Sequence, residues 1–76
     1  MKKLSILSQT FGSYIRSLRI KNNIGQRELA KKIGVAPSYL NDMEKNKRTA
    51  PRTDLIKKLS TILKADLDLL NDLAGN

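Results

Sequence analysis

Between Thr10 and Gly75 the apolar residues recur at intervals of three and four, with polar residues between them, which is a helical period and not an alternating one. The spacing predicts an all-α chain of five short helices. The first takes Ser8 or Thr10 as its N-cap and runs to about Asn22, with Phe11, Ile15 and Leu18 along its buried stripe, until Asn22-Asn23 breaks it. The second covers Gln26 to Ile33 with Leu29, Ala30 and Ile33 inward, and stops at Gly34, which is free to adopt the left-handed conformation. The third opens at Pro37, whose fixed φ suits a first helical position, and continues to about Lys45 with Leu40 and Met43 inward and Asn46 closing it. After the basic link Lys47-Arg48-Thr49-Ala50-Pro51, a fourth helix buries Leu55, Ile56, Leu59, Ile62 and Leu63. Asp66 caps a fifth, over 66–74, that carries Leu67, Leu70 and Leu73 and stops at Gly75.

With 76 residues, no internal repeat and no dividing linker, the chain is read as one domain over residues 1–76, near the lower size for an unaided core. It has no cysteine and no histidine, which removes disulfides, thiolate chemistry, imidazole catalysis and the usual zinc ligands. No acid-base pair or nucleophile set can be assembled either, so an enzyme is not expected, nor a metal or cofactor. The opening Met1-Lys2-Lys3-Leu4-Ser5-Ile6-Leu7 starts like a signal peptide, but its apolar run ends at Ser8-Gln9-Thr10. No stretch reaches membrane-spanning length. The expectation is a soluble, cytoplasmic protein with no membrane partner.

Charge changes the picture. Residues 1–52 carry 12 basic and 3 acidic side chains, a net of +9, whereas residues 53–76 carry 3 basic and 4 acidic, a net of −1. The first two thirds of the chain suit a polyanion. Phe11, Tyr14 and Tyr39 are too few and too scattered to form a base-stacking platform for single strands, which favours a duplex.

The segment from Gln26 to Lys45 has the construction of a helix-turn-helix. Leu29, Ile33, Val35, Leu40 and Met43 supply contacts between two short helices, Ala30 is small where their axes cross, and Gly34 makes the turn. Such a unit offers its second helix to the DNA major groove. Ser38, Asn41, Asp42 and Lys45 fall at i, i+3, i+4 and i+7, on the face away from Leu40 and Met43. Asn41 can bond adenine bidentately, and Ser38 is less selective. Asp42 repels phosphate, so it either accepts from a cytosine amino group or fixes Lys45 in a local pair; the pair is the simpler choice. The Tyr39 hydroxyl either reaches a phosphate or covers the rim of the core.

In these residues, in the basic link and in the last helix, "ADLDLLNDLAG", the chain resembles the lambda-repressor and Cro-like family of helix-turn-helix regulators, also called the xenobiotic-response-element family. The resemblance spans nearly the whole chain. It implies a compact five-helix domain that reads an operator in double-stranded DNA as a homodimer. It also implies that Gln26 clamps the phosphate backbone with the amides of its helix end, supported by Arg27, with Lys45, Lys47 and Arg48 on the far side. Family members are similar in pairing an arginine and a glutamate at the places of Arg19 and Glu44. Arg19 stands four residues after Ile15, at the edge of the buried stripe, where a covered stem and a planar fork suit a carboxylate.

Two departures from the family pattern matter. Gly25 and Ala36 stand where a serine or threonine cap is usual, at a cost of a few tenths of a kcal/mol and about 1 kcal/mol. Ala36 and Pro37 replace polar groups that some members use on DNA, so Pro37 enters the contact set through its place at the head of the helix, and part of the sequence preference is expected from DNA shape. Lys2 and Lys3, in an N-terminal arm over residues 1–9, either track the duplex or belong to a disordered tail. In the last helix, Leu69 and Leu73 either form the dimer surface or complete the core. A transcriptional repressor is the leading function and no small-molecule effector is evident. The alternative is a protein-interaction module that keeps the fold, suggested by Asp42, Ala36 and Pro37.

Overall fold

Thr10 opens the first helix, α1 (Phe11–Lys21), through a reciprocal cap in which its Oγ1 accepts from the Ser13 amide and its own amide donates to Ser13 Oγ, both at 3.2 Å. The computed structural model describes residues 10–75, so Ser8, the alternative N-cap, and the arm carrying Lys2 and Lys3 lie outside the described residues. Four more helices follow: α2 (Gln26–Ile33), α3 (Pro37–Glu44), α4 (Thr53–Leu63) and α5 (Leu67–Leu73). Among the described residues there is no strand, and the fold class is all-α.

The ends of these helices follow local chemistry. Gly34 takes φ +77°, and the amide of Val35 returns to the Ala30 carbonyl at 2.9 Å, which turns the chain sharply after α2. Pro37 then opens α3, while neither Gly25 nor Ala36 supplies a side-chain cap to α2 or α3. Asp66 Oδ1 accepts from the amides of Asp68 and Leu69 at 2.9 and 3.4 Å and starts α5. The end of α4 is less conventional. Lys64 turns left-handed at φ +56° without being glycine, and the Ser60 hydroxyl donates to the Ala65 carbonyl at 2.7 Å across the turn.

Helices of eight residues are too short to persist alone, so packing holds α2 and α3. The core joins Phe11 and Ile15 from α1, Leu29, Ala30 and Ile33 from α2, Leu40 and Met43 from α3, Ile56, Leu59 and Leu63 from α4, and Leu70 from α5. α3 packs on both α1 and α2; α4 packs against those two and also against α5. Leu18, Leu55 and Ile62, predicted to be buried, lie half-buried at the rim and pack against this cluster.

Two polar links tie α1 to its neighbours. Asn22 Nδ2 donates to the carbonyls of Leu18 at 2.8 Å and Leu63 at 3.1 Å, joining the ends of α1 and α4. At the other end, Asn46 adopts φ +60° just after α3 and turns its side chain onto α1. Its Oδ1 accepts from the Gly12 amide at 3.1 Å and its Nδ2 donates to Thr10 Oγ1 at 2.8 Å. This close approach requires Gly12, because a Cβ there would collide with the Met43 carbonyl oxygen and come within 2.7 Å of the Glu44 carbonyl oxygen and of Asn46 Oδ1.

Candidate nucleic-acid interface

α2 and α3 are separated by only the three residues Gly34, Val35 and Ala36. Since Leu40 and Met43 are buried, the other side of α3 is available to a ligand. Ser38 and Lys45 are exposed on it and Asn41 and Asp42 are half-buried, while Pro37 stands exposed at its head. Arg27 at the start of α2 and Lys47 and Arg48 after α3 are also exposed. Exposed cations therefore stand both on the helix before α3 and in the segment after it.

Behind this surface, Arg19 and Glu44 meet. Arg19 Nε donates to Glu44 Oε2 at 2.7 Å and Nη2 to Oε1 at 3.1 Å, with the two side chains only 12% and 2% exposed. The remaining guanidinium nitrogen, Nη1, donates to the Ile24 carbonyl at 3.0 Å, which ties the loop before α2 into the same network. A bidentate pair so little hydrated fixes direction well, and here it fixes the end of α3 against α1 and the start of α2.

Gln26 sits at the first turn of α2, where the resemblance puts a phosphate clamp, but its side-chain nitrogen points to α3. Nε2 donates to Glu44 Oε1 at 3.1 Å and to Asn41 Oδ1 at 3.4 Å. The backbone amides of this helix start carry no side-chain cap.

The pair expected between Asp42 and Lys45 is not formed. Asp42 Oδ2 instead lies 3.8 Å from Arg48 Nε, because the left-handed Asn46 turns the chain and brings Arg48 back beside α3. Arg48 also places its guanidinium carbon 5.0 Å from the centre of the Tyr39 ring, and Tyr39 packs half-buried against the core. Three further residues thus bear on the site: Gly12 and Ile24, given no role from the sequence, and Asn46, expected only to close α3. A glycine inside a helical period was the available signal of a close backbone approach. In α5, Leu70 is fully buried and Leu67 and Leu73 pack against the core, while Leu69 is half-buried and stands outside that cluster.

Two short helices joined by a glycine turn, with the second locked in direction and polar on its outer side, make a helix-turn-helix protein. The chain belongs to the Cro/C1-type, or xenobiotic-response-element, helix-turn-helix family, whose model matches residues 15–70. It is 36% identical over 61 residues to the HTH-type transcriptional regulator SinR of Bacillus subtilis (strain 168), a match that covers 80% of this chain and 55% of that protein. It is 32% identical over 59 residues to the ImmF control region 10 kDa protein of Bacillus phage phi105, covering 78% and 64%. Among solved structures it is similar to a chain in the crystal structure of SinR, master regulator for biofilm formation, in complex with DNA, with a TM-score of 0.73, 34% identity, and coverage of 80% of this chain and 97% of that one. The family is one of regulators and not an enzyme class. Among the described residues no helix is long and apolar enough to cross a membrane, and no group of acidic side chains could hold a metal.

Proposed function

We propose that this chain is a sequence-specific double-stranded-DNA-binding transcriptional regulator, a repressor that inserts α3 into the major groove as a homodimer. The observation that carries this reading is the outer side of α3: Ser38 exposed and Asn41 half-buried on it, exposed cations on the helix before it and in the segment after it, and a helix direction fixed by Arg19 and Glu44. That the similar SinR structure is in complex with DNA supports a DNA partner. In this reading Arg27, Lys45, Lys47 and Arg48 meet phosphates, Ser38 and Asn41 meet bases, and Pro37 and Tyr39 line the approach. The uncapped backbone amides at the start of α2, that of Gln26 among them, make the other phosphate contact, because the side-chain hydrogens of Gln26 are directed to Glu44 and Asn41. The protein-interaction alternative rested partly on Asp42, and the nearby Arg48 weakens that argument by supplying the opposite charge.

Selection from a randomised duplex pool near physiological salt tests the reading. A two-fold-symmetric site with half-sites about 34 Å apart is expected. If a dimer neutralises about six to eight phosphates, log K should fall against log salt with a slope of roughly −5 to −7. Replacing Ser38 and Asn41 together by alanine should flatten the base preference by about tenfold or more and leave salt-dependent, non-specific binding in place. Binding without enrichment would defeat the claim of sequence specificity.

Of the apolar side chains of α5, Leu69 is the one the core leaves over, which supports it as the dimer contact more strongly than Leu73. Leu69→Asp should therefore give a monomer in sedimentation velocity and weaken operator binding while the helical signal persists. Unchanged mass and affinity would place the dimer surface elsewhere.

A further inference from the structure

A free asparagine amide offers one donor edge and one acceptor edge, and bonds adenine by using both. Asn41 is not free in this sense. The chain of hydrogen bonds behind it begins at Glu44, whose Oε1 already accepts from Arg19 Nη2 at 3.1 Å. The same oxygen accepts from Gln26 Nε2 at 3.1 Å. Turning the Gln26 amide over would set its carbonyl oxygen against that carboxylate oxygen, two acceptors facing each other, so Glu44 dictates which way Gln26 points. The other hydrogen of Gln26 Nε2 is directed to Asn41 Oδ1 at 3.4 Å. Asn41 thereby turns its oxygen back towards α2 and leaves its Nδ2 without a hydrogen-bond partner among the described residues.

We propose that Gln26 is a positioning residue that holds Asn41 as a donor-only reader, so that Asn41 selects the acceptor edge of guanine, N7 and O6, over adenine. This rests on the DNA-binding reading above and sharpens it. In the major groove guanine presents two adjacent acceptors, which suit the two hydrogens of one amide nitrogen. Adenine places its N6 amino group where the second acceptor would be, so two donors would meet; cytosine offers a donor only, and thymine a single acceptor beside a methyl group.

The test uses the full chain and the duplex recovered by pool selection. The base read by Asn41 is the position whose preference disappears in Asn41→Ala, and guanine is expected there. With the wild-type protein, 7-deazaguanine at that position removes the N7 acceptor and should weaken binding about fivefold or more, whereas inosine, which keeps N7 and O6, should bind as guanine does. Gln26→Met removes the amide that orients Asn41, and the preference for guanine over adenine, expected to be about tenfold in the wild type, should fall to within twofold. Circular dichroism verifies that this variant is folded, and if it is not, the base analogues decide. Adenine at the Asn41 position, indifference to 7-deazaguanine, a Gln26→Met variant that keeps the guanine preference, or an Asn41→Ala variant that changes no position would each overturn the proposal while leaving DNA recognition intact. A pool with no enrichment would overturn the DNA reading and this proposal with it.

Discussion

Glu44→Ala is expected to lower the free energy of unfolding by about 3 to 5 kcal/mol, because it leaves the Arg19 guanidinium covered and without its carboxylate. That is most of the stability a small domain has, so the variant should be largely unfolded well below the wild-type melting temperature. The loss does not mean that the ion pair contributes the same amount in the intact protein, since its attraction is offset by the cost of removing both charges from water. The distinction can be measured. Replacing Arg19 and Glu44 together by methionine should give a protein more stable than either single variant, and a double-mutant cycle in urea, followed by circular dichroism, would report the coupling. A loss below about 1 kcal/mol for Glu44→Ala would mean that Arg19 finds water when its partner is removed. Any folded fraction should also lose base preference, because Gln26 would be released from Glu44.

Gly12→Ala is expected to destabilise the protein, against the usual effect of that change inside a helix. An exposed glycine replaced by alanine at a mid-helix position normally gains about 1 kcal/mol. Here the added methyl group would overlap the Met43 carbonyl oxygen and press on that of Glu44, and both belong to the backbone and cannot rotate away. Overpacking of this kind costs about 1 to 3 kcal/mol, enough to reverse the helical gain. Since a change of 1 kcal/mol moves the melting temperature of a domain this size by about 4 to 8 °C, a thermal scan resolves the sign. A higher melting temperature would mean that α1 and α3 separate at little cost. Because the end of α3 is what would be displaced, DNA affinity should decline together with stability.

Both predictions depend on contacts between residues far apart in the sequence: the Arg19–Glu44 pair was expected through the family resemblance alone, and the approach of the end of α3 to Gly12 was not expected. The helices themselves were legible because their signals are local: a period of three and four, Gly34 after α2, Pro37 at the head of α3 and Asp66 before α5 each act within a turn of where they stand. Periodicity could not separate the centre of the core from its rim, so Leu18, Leu55 and Ile62 looked the same as Ile15 and Ile56. For Asp42, helical spacing made Lys45 the natural partner. The chain takes a different course beyond the helix, and a left-handed Asn46 brings Arg48 into place. Asn46 itself read as a stop signal, which it is, but its side chain crosses to Thr10 and Gly12 and no local rule points there. Gln26 shows the same limit at the candidate site. Its position at a helix start was legible, whereas the direction of its amide follows from a carboxylate 18 residues away.

The anchoring of α3 at both ends has a calorimetric consequence. Its start is held by the turn through Gly34 and Val35, and its end by Glu44 and by the Asn46 latch onto α1. A helix so constrained before contact has little order left to acquire, so association forfeits little conformational entropy. The heat-capacity change on operator binding should then match the apolar area covered when two finished surfaces meet, without the additional 1,000 to 3,000 Å² or so that accompanies the folding of a segment on its partner.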